Sequence, residues 1–182
     1  RPEQLVWQTQ GALAHADEVS QVLVRAHHTP GSFEVFVRTP DRDGVFAALV
    51  ATLDRLGLGV QEARVLSSTD GHALDNFQVQ ANSTAPEAAR VVELLKAALR
   101  DPMAVRPSRR ATPRNLRHFR MPAQVSFDAV EGAQRTRLAV VGTDRPGLLA
   151  DVALLLRSHG LRVHDARIAT FGERVEDIFL LS

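Results

Sequence analysis

The chain has 182 residues, and 22 lysines and arginines stand against 21 aspartates and glutamates, for a net charge of +1. This balance excludes a global field that would steer the chain to nucleic acid or to an anionic membrane. The absence of cysteine excludes disulfides and thiolate metal sites, and no long apolar run or signal-peptide pattern is present, so we expect a cytoplasmic protein without a membrane partner.

The first elements in chain order are a short helix and a hairpin. Apolar residues within residues 1–19 predict a helix that leads in from an upstream domain. Residues 21–27 and 33–39 alternate apolar and polar side chains, and the segment Thr29-Pro30-Gly31-Ser32 between them predicts a β-turn. We therefore expect two antiparallel strands at the start of the first unit.

A helix, a second strand pair and a second helix follow. Residues 41–44 end the strand, and apolar side chains at helical spacing continue to Gly57, a residue type common just past a helix. Residues 60–66 and 73–80 predict strands, and a helix is predicted over 86–100 with Pro86 at its first position. The predicted order is ββαββα.

Residues 101–122 combine prolines with a group of arginines, and this composition predicts a linker without regular structure. The arginines are Arg106, Arg109, Arg110, Arg114, Arg117 and Arg120. They could hold phosphate, but Phe119 is the only aromatic residue among them, so pairing with acidic protein surface is favoured over a nucleic-acid partner.

An internal repeat determines the architecture. Residues 41–64 align without a gap on residues 144–167, at an offset of 103. The second copy accordingly has predicted strands at 124–130, 135–142, 162–170 and 174–181 and a helix at 146–159. Its second helix has no counterpart in the sequence, so we expect this copy to be truncated.

The repeat predicts an α+β fold of two ferredoxin-like domains. A βαββαβ unit whose last strand moves to the front becomes ββαββα, with an antiparallel sheet, helices on one face and the other face left for a neighbour. We expect a lead-in at 1–19, a first domain at 20–100, a linker at 101–122 and an incomplete second domain at 123–182.

The turn between the second strand and the first helix is the strongest candidate for a ligand site. A helix start offers unpaired N–H groups to a carboxylate, a nearby Asp can accept from an ammonium group, and glycine permits close approach. Capping by Asp and a simple glycine turn explain the same residues, and both readings stay open. The candidate residues are Asp41, Asp43 and Gly44 in the first copy and Asp144, Arg145, Pro146, Gly147, Leu148 and Leu149 in the second.

No catalytic or metal site is predicted. The pair His164-Asp165 is of the kind found in HD phosphohydrolases, but it falls in a predicted strand and its counterpart is Gln61-Glu62. Serine, lysine and carboxylate residues form no recurring nucleophile or paired-acid arrangement. We therefore expect no catalytic residue and no bound cofactor in this chain.

The turn-helix-strand pattern resembles the ACT family of amino-acid-sensing domains. Two such copies together with PEQLVW (residues 2–7), TPD (39–41), DRPGLLADV (144–152) and HDARIATFGERVEDIF (164–179) are similar to the carboxy-terminal region of the bifunctional enzymes that uridylylate and deuridylylate the PII nitrogen-signalling protein. The resemblance implies a regulatory region that senses L-glutamine.

Partners follow from the same resemblance. It implies upstream nucleotidyltransferase and HD domains, PII as substrate of the parent enzyme, and Mg²⁺ for the parent's catalysis. It also implies that ligand lies between one copy's turn and the neighbouring copy's strand, which adds Val60, Gln61, Glu62, Val163, His164 and Asp165 as candidates. A solvated edge strand explains these six equally well.

Two further functions remain open. The chain could be a ligand-independent ACT dimerisation module, or it could be the ACT tail of another regulated enzyme. Oligomerisation that does not depend on ligand would favour the first, and an upstream sequence without HD-type metal ligands would favour the second.

Overall fold

The computed structural model describes residues 2–106, 122–130 and 134–182. The lead-in and first unit contain α1 (Pro2–Ala14), β1 (Gln21–Ala26), β2 (Ser32–Pro40), α2 (Val45–Arg55), β3 (Leu58–Ser67), β4 (His72–Ala81) and α3 (Ala88–Arg100). A 3₁₀ turn, Pro102–Ala104, follows. The second unit contains β5 (Gln124–Ala129), β6 (Thr136–Thr143), α4 (Leu148–Ser158), β7 (Val163–Phe171) and β8 (Arg174–Leu181). Most of the predicted linker, residues 107–121, lies outside the described residues.

The strands form one eight-stranded sheet in the order β1-β2-β4-β3-β7-β8-β6-β5, and all neighbours are antiparallel. In each unit the first strand pairs with the second, as expected when the last strand of a ferredoxin-like unit moves to the front. The predicted α+β fold with two permuted units is therefore confirmed.

The two units join edge to edge through β3 and β7. Arg64 lies opposite Arg167, its own counterpart in the repeat, so a pseudo-two-fold axis passes between these two residues. Because β3 and β7 lie in the middle of the continuous sheet, the alternative that they are solvated edge strands is wrong.

Helices α2, α3 and α4 cover one face of the sheet and enclose its apolar core. The coverage differs between the units. Val22 on β1 lies under α3 and is 5 % exposed, whereas its counterpart Val125 on β5 is 55 % exposed. Within the described part of the chain no helix covers β5, and all six of its residues are exposed.

The other sheet face, predicted to be left for a neighbour, is partly covered by α1. A Cβ at Gly11 would overlap Leu23 Cδ1, so a larger residue at this position would displace the Leu23 side chain. Arg25 extends over the ring of Trp7, with the guanidinium carbon 4.4 Å from the ring centroid. No helix among the described residues is long and apolar enough to span a membrane.

Two predicted helix starts are wrong by two residues. Helix α3 begins at Ala88, because Glu87 has extended backbone at the N-cap, and Pro86 therefore precedes the helix. Helix α4 begins at Leu148 and not at Pro146, because Gly147 is left-handed with φ of +80° and interrupts the helical backbone.

Candidate functional site

Both strand-to-helix turns end on a left-handed glycine. Gly44 precedes α2 with φ of +81°, and Gly147 precedes α4 with φ of +80°. Other residue types are strained in this conformation, so the glycine lets the chain leave β2 or β6 and enter a helix at once. The Asp41 amide donates to Gly71 O at 2.9 Å and the Asp144 amide donates to Glu173 O at 2.7 Å, which fixes each turn to the hairpin loop of its own unit.

Pairing of β3 with β7 places each turn beside the first residues of the other unit's strand. Two clefts related by the pseudo-two-fold axis result. The second-turn cleft lies between residues 144–150 and the first unit, and the first-turn cleft lies between residues 41–47 and the second unit. The turn of one copy thus faces the strand of the other, the position at which the resemblance implies a ligand.

The second-turn cleft has a volume of about 90 Å³. Its lining includes all six candidates of the second turn together with Val60 and Gln61 of the first unit. Helix α2 adds Asp54, a residue that is 8 % exposed and whose carboxylate Oδ1 lies 3.5 Å from where a Cβ on Gly147 would be. The cleft therefore brings a carboxylate of one unit against the glycine turn of the other.

Acceptors and donors both face the second-turn cleft. Burial raises the pKa of Asp144 above the ordinary range, against the opposing effect of a hydrogen bond from the Arg145 backbone. The Arg145 guanidinium is held by Asp151 at 2.5 Å. The first i→i−4 bond of α4 is donated by the Asp151 amide, so the amides of Leu149 and Ala150 have no acceptor within the helix.

Strands β3 and β7 each contain a β-bulge among the candidate residues. The register of β3 against β4 shifts between Val60 and Glu62, and that of β7 against β8 shifts between Val163 and Asp165. The extra residues, Gln61 and His164, are repeat counterparts with different surroundings. Gln61 lines the second-turn cleft, whereas His164 Nε2 lies 2.7 Å from Ser182 Oγ. Burial and the neighbouring arginines lower the pKa of His164.

The first-turn cleft is smaller, at about 30 Å³, and contains an arginine from the second unit. Arg162 Nη2 lies 3.0 Å from Asp41 Oδ2 and donates to Asp41 O at 3.3 Å. Its Nη1 lies 4.0 Å from the exposed Asp43 carboxylate. Gly44 and Val163 also line this cleft.

Two candidates lie on the opposite sheet face. Glu62 is exposed and borders the space between the sheet and α1, and the Asp165 carboxylate lies 3.7 Å from Arg64. The structure therefore does not bring Glu62 or Asp165 together with the turns, whereas His164 lies close enough to Asp41 of the first turn for their charges to interact.

Several cleft residues were missed by sequence reasoning. Asp54, Gly59 and Asn82 line the second-turn cleft, and Arg157 and Arg162 line the first. The repeat holds a usable signal, because the offset of 103 pairs Asp54 with Arg157 and Gly59 with Arg162. A difference in charge or side-chain size between two residues at the same repeat position indicates where the two clefts differ.

A buried acid in each unit was also missed. Asp75 lies between Ala73 and Phe77 on the helix-facing side of β4, and among the described residues neither of its carboxylate oxygens has a hydrogen-bond partner. Burial, with a smaller effect of Asp41, raises its pKa to about 8. Burial raises the pKa of its counterpart Asp177 to about 7. An acid within the apolar alternation of both strands was the available signal.

The described residues contain no group of three or more His, Cys, Asp or Glu side chains placed to hold a metal ion. The arrangement that the structure does provide is a cleft between two units, with carboxylates, helix-start amides and side-chain amides at its surface. Such groups can bind a small zwitterion without reacting with it.

Comparison with known proteins gives relatives along the whole chain. A bifunctional uridylyltransferase/uridylyl-removing enzyme of Xanthomonas campestris pv. campestris (strain B100) is 50 % identical over 188 residues, covering 100 % of this chain and 21 % of that protein. The enzyme of the same name from Methylococcus capsulatus is 39 % identical over 189 residues, with the same coverage of both chains. The chain thus spans about a fifth of the length of these curated relatives.

No protein-family model matches the chain. Among solved structures, aspartate kinase from Synechocystis has a TM-score of 0.47 and 16 % identity, covering 83 % of this chain and 24 % of that chain.

Proposed function

We propose that this chain is the amino-acid-sensing regulatory region of a bifunctional uridylyltransferase/uridylyl-removing enzyme, and that L-glutamine is its effector. The relatives at 50 % and 39 % identity carry that enzyme name, and the chain corresponds to a fifth of their length. The observation that carries the proposal is the second-turn cleft, where a glycine turn meets a buried carboxylate of the other unit.

The chemistry of the cleft suits an α-amino acid. The Asp54 and Asp144 carboxylates accept hydrogen bonds from the ammonium group. The amides at the start of α4 donate to the ligand carboxylate, aided by the positive end of the helix dipole. Gln61 and Asn82 present both donors and acceptors to the side-chain amide of glutamine.

Binding at this position would act on the joint between the units. Ligand would contact α2 and β3 of the first unit and the turn and α4 of the second, so it would favour one relative position of the two. In the parent enzyme that change would alter how the region docks on the nucleotidyltransferase and HD domains. The balance between uridylylation and deuridylylation of PII would shift as a result, with a coupling free energy of about 1–3 kcal/mol.

Calorimetric titration of the 182-residue chain with L-glutamine tests the proposal. Asp144→Asn should weaken binding about tenfold or more, because a charged acceptor is lost from the cleft. Asp165→Asn is the matched control, since Asp165 lies on the opposite sheet face. No binding by a folded wild-type chain, or equal loss in both variants, would overturn the proposal.

A further inference from the structure

The two clefts share a backbone scaffold but carry different residues at the repeat position that corresponds to residues 59 and 162. Position 59 is Gly and lines the second-turn cleft, and its counterpart, position 162, is Arg and lines the first-turn cleft. Glycine adds no side chain of its own at this position, where the side-chain amides of Asn82 and Gln61 lie nearby. In the other cleft the same position carries a long cationic side chain.

The Arg162 side chain contacts the first turn in the way that a bound cationic ligand would. Its guanidinium contacts both the carboxylate and the backbone carbonyl of Asp41, at 3.0 Å and 3.3 Å. Its Nε is buried, with no hydrogen-bond acceptor among the described residues, although the side chain as a whole is 37 % exposed. A cationic group on an acidic turn is the contact expected of an amino-acid ammonium.

A second arginine, Arg157 on α4, lines the same cleft but directs its guanidinium to the 3₁₀ turn. Arg157 Nη1 donates to Pro102 O at 2.8 Å and Nη2 donates to Val105 O at 2.7 Å. These bonds hold the 3₁₀ turn that follows the first unit against α4 of the second. In the same turn, Met103 Sδ lies 2.8 Å from where a Cβ on Gly44 would be. The counterpart of Arg157 in the open cleft is Asp54, so the two clefts have opposite charge at this position.

We infer that Arg162 is an internal occupant of the first-turn cleft, and that the residue at position 59 or 162 decides whether a cleft admits an amino acid. The chain then binds one amino acid, in the second-turn cleft. This inference rests on the proposed function for the identity of the ligand, but the contacts of Arg162 do not depend on it.

Reciprocal variants test the inference by the number of L-glutamine molecules bound in calorimetry. Wild type should bind one. Arg162→Gly should bind a second, and Gly59→Arg should bind none. Arg162→Gln, shorter and uncharged, should admit the second ligand more weakly.

A graded variant and a control keep the result interpretable. Gly59→Ala adds only a Cβ, which would lie 3.2 Å from the flexible end of Asn82, and should bind one ligand more weakly than wild type. Arg174→Gly removes an arginine that pairs with Glu176 on β8, away from both clefts, and should also bind one. A folded Arg162→Gly chain that still binds a single ligand overturns the inference and leaves the proposed function intact.

A measurement without ligand distinguishes the inference about Arg162 from the proposed function. In the ¹⁵N spectrum of the free chain, the Nε–H signal of Arg162 should exchange slowly with water, while that of Arg174 should exchange fast. Fast exchange at Arg162 would contradict the inference. Absence of glutamine binding by wild type with slow exchange at Arg162 would overturn only the proposed function.

Discussion

The two clefts of this chain arise from one repeated scaffold, yet only one of them is open. Each has a left-handed glycine before a helix and a bulged strand from the other unit. Their side chains differ, most clearly where Asp54 and Gly59 in one cleft correspond to Arg157 and Arg162 in the other. A repeat can therefore keep its backbone while its two clefts differ in charge and size.

The largest expected difference between the units concerns the buried acids. Asp75 and Asp177 have folded pKa values of about 8 and about 7, well above the unfolded value of about 3.9. Protonation of each buried carboxyl favours the folded chain, and this contribution is complete only below the unfolded pKa. The free energy of unfolding should therefore fall as pH rises from about 4 to about 8. At pH 8, Asp75→Asn should raise it by a few kcal/mol, on the order of 3.

Urea unfolding at several pH values measures this effect. Asp177→Asn should give a smaller gain, because that carboxyl keeps a hydrogen bond from the Ala169 backbone. An unchanged pH profile in Asp75→Asn would show that the carboxyl is solvated or paired in solution.

The next effect is on ligand binding at the open cleft. Gly147→Ala should lower L-glutamine affinity about tenfold or more, because a Cβ would enter the space beside Asp54. Gly160→Ala is the control: its φ is +71° and nothing lies within 4 Å of the added Cβ. Both variants should lose about 1 kcal/mol of stability from backbone strain, but only the first should lose affinity. Calorimetry and urea unfolding of the two variants separate the effects.

A charge comparison across the pseudo-two-fold axis gives the third effect. Asp54→Asn should weaken ligand binding about fivefold to tenfold, because an ionised acceptor is replaced by an amide. Arg157→Gln should leave that affinity unchanged but lower the free energy of unfolding by about 1–2 kcal/mol, since it loses bonds to Pro102 O and Val105 O. Equal effects on affinity would mean that both clefts bind ligand.

The smallest effect is expected at the two bulges. Gln61→Ala should weaken L-glutamine binding about threefold, because Gln61 lines the open cleft. His164→Ala should change affinity by less than about twofold, because its ring contacts Ser182 and not a cleft. The ratio of L-glutamine to L-glutamate affinity in each variant shows whether Gln61 recognises the amide.

Much of the fold follows from sequence because the same pattern occurs twice. The offset of 103 and the ββαββα order predicted the four strands of each unit, and the position of every strand within about two residues. The joining of β3 to β7 was not predictable in this way, because pairing between units depends on which edges are left free after each unit folds. The helix starts at Ala88 and Leu148 depended on local backbone, which the apolar periodicity does not report.

The site was predictable in part for a similar reason. The turn residues 144–149 are contiguous and carry a recognisable pattern, whereas Asp54 reaches the cleft from the end of a helix in the other unit. Its role depends on the packing of α2 against α4 and could not be assigned before that contact was known. Arg162 looks like a solvated residue in sequence, and only the structure shows that it lines a cleft and contacts Asp41.

Titration of the ¹⁵N-labelled chain with L-glutamine, followed by two-dimensional NMR, tests the difference between the clefts most directly. We predict saturable shifts at the amides of Gly147 and Gly59, with the amides of Gly44 and Arg162 unaffected. Shifts of equal size at both sets of residues, or at Gly44 alone, would contradict this prediction.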